Sequence, residues 1–131
     1  MDNSCVLRLD QIVFDEISFK RENFKLQTEL KLEFNFNFEN GEDGNFVTCI
    51  RVVGTKEDEY QFVVRASGYF NVGENVEGRT TIIRQNAVAI VFPYIRSQIT
   101  LLTAQPGMDP IILQPFNIAQ MVEDAMKKEK R

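Results

Sequence analysis

The side chains with catalytic potential in this chain are carboxylates, hydroxyls and two thiols, and none comes with the group that would activate it. Histidine is absent, so the usual general base, the usual activator of a nucleophile and the commonest zinc ligand are missing together. Carboxylates cluster at Glu42-Asp43 and at Glu57-Asp58-Glu59. Acid and base work would need two of them held across a cleft. Both clusters stand beside Gly41, Gly44 and Gly54 in turn-forming sequence, which reads as solvated hairpin tips. Cys5 and Cys49 lie in strand-like sequence with no export signal ahead of them, and free thiols filling apolar space are expected. No nucleophile, base and orienting group can be assembled, so no enzyme is expected and no metal, nucleotide or other cofactor is implied.

Binding is what remains. The 131 residues fit one domain, with 44% hydrophobic and 26% charged residues, close to the globular average. The net charge is −4, and Lys and Arg cluster only in the final Lys-Lys-Glu-Lys-Arg, so the basic stripe needed to displace counterions from phosphate is missing and no nucleic acid is expected. The longest apolar run, Asn86 to Ile95, is short for a bilayer core of roughly 30 Å, so no membrane insertion is expected. With no export signal read at the start, the expected location is cytoplasmic.

The elements that would present a binding surface follow from hydrophobic period. In Leu30-Lys-Leu-Glu-Phe-Asn-Phe-Asn-Phe38, Leu30, Leu32, Phe34, Phe36 and Phe38 share one face, a period of two that fits a strand and not a helix. Cys5 to Lys20 is a second strand, with Leu7, Leu9, Val13, Ile17 and Phe19 in one phase and Ile12 and Phe14 intruding from the other, which predicts a bulge. Asn40 to Asn45 and Gly54 to Glu59 punctuate hairpins before the strands Phe46 to Val53 and Tyr60 to Phe70. An antiparallel meander is expected.

After Gly78 the period becomes helical, from an N-cap at Thr80 or Thr81 to Ala104, with Pro93 predicted to kink the helix. Apolar residues cover most of its circumference, more than one sheet face can hide, so a symmetric subunit contact is expected. Gln105 to Pro110 stops the helix. Residues 110 to 116 form an extended strap anchored by Ile111, Leu113 and Phe116, and Asn117 caps a last helix with an apolar stripe of Ile118, Met121, Val122, Ala125 and Met126. The fold class is α+β: a four-stranded antiparallel meander sheet (1–70) with two helices on one side (80–104 and 117–131), joined by a crossover loop (105–116), all in one domain, 1–131.

Four segments carry a family resemblance. Glu16-Ile-Ser-Phe19, Gly68-Tyr-Phe70, Val91-Phe-Pro-Tyr-Ile-Arg96 and Pro110-x-x-Leu113-x-Pro115-x-Asn117 occur in the order found in SecB, the bacterial export chaperone, and the chain resembles that family over nearly its whole length. The resemblance implies a homotetramer built as a dimer of dimers, with Ile83, Ala87, Ile90, Val91, Tyr94 and Ile95 of the long helix at the interface. It implies clients that are unfolded preproteins, passed to the SecA motor without ATP. Carried over position by position, the client groove would hold Tyr60, Phe62, Val64, Ala66, Ile111, Leu113, Phe116, Met121 and Val122. Glu16 would face SecA, whereas Lys20, Val63 and the basic C-terminal end depart from the acidic residues usual in the family. Client routes other than export, such as guarding an antitoxin, remain alternatives, as does a carrier of small apolar ligands.

Overall fold

Alternation fixes which face of each strand meets the helices. The computed structural model describes residues 7–24, 28–73, 80–114 and 118–129. Four strands, β1 (Leu7–Arg21), β2 (Leu30–Asn40), β3 (Asn45–Lys56) and β4 (Tyr60–Val72), precede two helices, α1 (Thr80–Thr103) and α2 (Ile118–Glu129). On β3 and β4 the even-numbered residues Phe46, Ile50, Val52, Tyr60, Phe62, Val64, Ala66, Phe70 and Val72 are buried beneath the helices. Their odd-numbered neighbours face away.

The sheet is fully antiparallel, in the order β1-β4-β3-β2. Strands β2, β3 and β4 form the expected meander. β1 departs from it, crossing the sheet to pair with β4 and leaving β1 and β2 as opposite edges. This is Greek-key connectivity, which hairpin signals alone do not predict because β1 and β4 are joined by no turn.

The phase conflict in β1 resolves into two irregularities, between Leu9 and Gln11 and between Phe14 and Glu16. Each takes up one extra residue. Leu9 therefore lies opposite Phe70, Phe14 opposite Ala66 and Phe19 opposite Phe62, so all three face the helices while Val13 is turned outward with Ser67.

Helix α1 runs through Pro93 without interruption, placing Ala87, Val88, Val91, Phe92, Ile95 and Ile99 against the sheet. Large buried side chains contribute about 1.5–3 kcal/mol each. Val88, Val91, Phe92, Ile95 and Ile99 together therefore outweigh the about 3 kcal/mol that an internal proline costs. Pro93 is exposed, as is Ala89, whose carbonyl loses its ladder donor. Close approach of α1 depends on Gly68, where an added β-carbon would overlap Val91 and Phe70. Helix α2 packs on α1 and touches β2, burying Val122 completely.

Candidate functional site

The crossover strap is clipped to α1 by two threonines. Thr100 Oγ1 donates to the Ile111 carbonyl at 2.8 Å, and the Ile111 amide donates to Thr103 Oγ1 at 2.8 Å. Thr103 is fully buried and its hydroxyl also donates to the Ile99 carbonyl at 2.8 Å. A Thr hydroxyl at i can reach the carbonyl at i−4, and here the same oxygen takes a second partner from the strap. Leu113 is thereby pressed into the core, Ile111 is half-buried, and Ile112 points outward at 70% exposure.

Two surface hollows flank this strap. One, of about 530 Å³, lies between the strap and the outer face of α1, lined by Pro93, Arg96, Ser97, Thr100, Leu101, Ile112 and Leu113. The other, of about 150 Å³, lies at the end of the sheet beneath the turn Pro106–Asp109. Its floor is Tyr60, whose ring lies 5.1 Å from that of Phe19 at a tilt of 31°, with Arg21 and Lys56 each within 6 Å of the Tyr60 ring. Phe24 overhangs it at 79% exposure.

Glu59 departs from the expectation of a solvated hairpin tip. Glu57 and Asp58 are exposed, but Glu59 is 3% exposed, 3.4 Å from Lys56 and 4.0 Å from Arg21. Its carbonyl accepts the amides of Glu22 at 2.8 Å and Asn23 at 3.1 Å, which draws the residue under the end of β1. Burial, then the negative charge of Glu59, push the Tyr60 phenol above its usual range, and Arg21 partly offsets them. The phenol stays neutral at physiological pH, leaving the pocket an aromatic floor bordered by the cations Arg21 and Lys56 and the acids Glu59 and Asp109.

Of the residues predicted for a groove, Tyr60 and Leu113 line these hollows. Phe62, Val64 and Ala66 have no accessible surface and lie under α1, because the helix face of the central strand β4 is the core. Val122 is likewise core and Met121 is half-buried. Phe116 lies outside the described residues. Of the residues predicted for a subunit interface, Ala87, Val91 and Ile95 are fully buried against the chain's own sheet. A second copy cannot reach them. Ile83 and Ile90 are partly buried against the same core, and Tyr94 is exposed. The outward apolar residues of α1 are instead Ile82, Tyr94 and Leu101, at 57%, 50% and 69% exposure. Glu16 lies on the face of the sheet away from the helices.

An apolar surface that sequence reasoning did not single out lies on β2. Phe34, Phe36 and Phe38 face the helices but are only half-buried, because β2 is an edge strand. The ladder of β2 with β3 is unbroken from Leu30 to Asn40, and among the described residues no strand pairs with its outer side. The aromatic alternation was visible in the sequence. The edge position was not.

Residues 5–129 match the SecB family, described as preprotein translocase subunit SecB, and the chain belongs to that family. Protein MJ0357 of Methanocaldococcus jannaschii is 31% identical over 126 residues, covering 92% of this chain and 80% of that protein. Among solved structures, the SecB-like chaperone Rv1957 of Mycobacterium tuberculosis, in complex with a ChAD peptide from the HigA1 antitoxin, superposes with a TM-score of 0.64 at 18% identity, covering 85% of this chain and 88% of its own. A protein of unknown function from Streptococcus agalactiae gives a TM-score of 0.57 at 12% identity, covering 86% and 99%. The last two likenesses bear on the fold.

Proposed function

We propose that this chain is an ATP-independent cytoplasmic chaperone that holds unfolded or non-native polypeptides, working as a homotetramer. The observation that carries this reading is the edge of β2, a long, bulge-free strand that has no strand on its outer side among the described residues and whose three phenylalanines are only partly buried. A long unpaired edge is a template for another chain, and proteins that do not use one usually blunt it. The opposite edge, β1, is interrupted twice. An extended client segment added to β2 would gain main-chain hydrogen bonds without regard to its sequence, and alternate apolar side chains would meet Phe34, Phe36 and Phe38. The hollow beside Tyr60 and the strap groove beside Leu113 extend the same apolar surface. Family membership supports this reading, and the antitoxin peptide bound by Rv1957 supports polypeptide segments as the ligand class.

Unfolded preproteins for the Sec pathway are one client class, with SecA contacted through Glu16. A client route without SecA, such as protection of an antitoxin, is favoured by the outward row of the sheet, where Glu16 is followed by Arg65 and Arg51 in place of further acids. A small-ligand carrier fits less well, since the hollows beside the strap open to solvent and enclose nothing. The test is dilution of a denatured reporter protein into buffer with and without this chain, in the absence of nucleotide. Suppressed light scattering at near-stoichiometric chaperone is expected, and Phe36→Asp should weaken it several-fold while the variant keeps its circular dichroism. Unaltered reporter aggregation would reject the reading.

A further inference from the structure

The unbroken ladder between β2 and β3 fixes where each β2 peptide group points. At the hairpin the Gly41 amide donates to the Asn45 carbonyl at 2.7 Å, so residue 41 aims its backbone at β3. Along an antiparallel strand that direction alternates residue by residue, and the register shows no shift from Leu30 opposite Lys56 to Asn40 opposite Phe46. Odd-numbered residues of β2 therefore turn their N–H and C=O groups to β3, and even-numbered residues turn theirs to the border of the sheet. Among the described residues no strand lies beyond that border. The even-numbered residues are Leu30, Leu32, Phe34, Phe36 and Phe38, the same row whose side chains lie partly buried on the helix side. The odd-numbered row, Lys31, Glu33, Asn35, Asn37 and Glu39, is exposed on the opposite face. One row of residues thus offers both backbone groups and apolar side chains to whatever adds at the border, and the other row offers neither.

Resting on the reading that clients add to the β2 edge, we infer that the segments held there alternate strictly, apolar at every second residue, and run antiparallel to β2. Residues directly opposite each other on adjacent strands share a face of the sheet. In antiparallel addition the client residues that exchange hydrogen bonds with Leu32, Phe36 and Phe38 stand directly opposite them, so their side chains land on the leucine and phenylalanine row. In parallel addition the bonds would go to the client residues on either side, whose side chains point to the outer face. Antiparallel pairing is the more stable per residue, and it continues all three pairings of the sheet. A segment with helical apolar spacing, at i, i+3, i+4 and i+7, divides its apolar side chains between the two faces, and those on the outer face meet Glu33, Asn35 and Asn37. Apolar content alone therefore does not decide which segments bind.

The test uses the full chain and two fluorescein-labelled peptides of one composition, leucines and threonines between terminal lysines that keep both soluble. In one the leucines and threonines alternate, and in the other the leucines have helical spacing. Anisotropy reads affinity, and hydrogen exchange of the β2 amides reads the place of binding. The alternating peptide is expected to bind at least about tenfold more tightly, since it sets all its leucines on the apolar row and its isomer sets only half. Methylating the leucine nitrogens of the alternating peptide removes the donors that face β2 and should weaken binding at least about tenfold, whereas methylating the threonine nitrogens should change it by less than about twofold. Equal affinity of the two isomers would overturn the inference, as would a larger loss from threonine than from leucine methylation. If equal affinity comes with slowed exchange in β2, strand addition stands and only the selectivity falls. Binding of both peptides without any slowing in β2 would reject strand addition itself, and this inference with it.

Discussion

At the scale of single residues, a buried hydroxyl in the core does nothing for the fold. Thr48 is fully buried on the helix face of β3, level with Gly68, and its Oγ1 has no hydrogen-bond partner among the described residues. A buried hydroxyl without a partner costs free energy that a methyl group of the same shape does not. Thr48→Val is therefore expected to raise stability by about 1 kcal/mol, read as a higher urea midpoint with an unchanged slope. Glu59 teaches the converse. Its place in Glu57-Asp58-Glu59 looked like solvent-exposed turn sequence, yet the end of β1 covers it and two cations bracket it. Local composition identified the hairpin correctly. Burial of its last carboxylate depended on a strand some forty positions away in sequence, which no local pattern encodes.

At the scale of elements, the strap is the feature with the most to lose from one substitution. Thr103→Val keeps the shape of a fully buried side chain but removes the acceptor of the Ile111 amide and the donor to the Ile99 carbonyl. Leaving that amide unpaired should cost about 1–3 kcal/mol. Thr103→Val should exchange the Ile111 amide faster and be cut sooner by protease between Asp109 and Gln114, whereas Thr103→Ser should retain most of the parent's protection. The limits of the elements were legible, since α1 spans Thr80–Thr103 and β2 spans Leu30–Asn40, within two residues of the periodic patterns. The register of β1 was half legible: the clash of phases at Ile12 and Phe14 announced an irregularity but could not say that there are two. Which side of α1 meets the sheet was not legible at all. A helix apolar on nearly every side has no preferred face in its own sequence, and Ala87, Val91 and Ile95 were assigned to a subunit contact although the sheet holds them.

At the scale of the whole molecule, apolar surfaces on α1 and on the edge of β2 stand uncovered among the described residues. Tyr94 and Leu101, exposed on one face of α1, suit a second copy, as the tetramer reading requires, while Ile82 is exposed about a third of a turn away. Under that reading, Leu101→Asp and Tyr94→Asp should lower the mass seen in sedimentation while leaving circular dichroism intact, because each places a charge in an interface without entering the core. Ile95→Asp, in contrast, should unfold the chain, since Ile95 is fully buried within it. Unchanged mass in both outward variants would reject α1 as the contact. The second surface is the edge of β2, and it exists because of topology: only because β1 crosses to β4 does β2 stand at the border of the sheet, with no strand on its outer side among the described residues.

The most direct measurement is hydrogen exchange of the β2 amides, with and without a permanently unfolded reduced protein. Slower exchange is predicted for the outward-facing amides between Leu30 and Asn40 when the unfolded chain is present, with little change along β1. Protection confined to β1, or none on either edge while the unfolded chain is demonstrably bound, would contradict strand addition at β2 as the way this protein holds its clients.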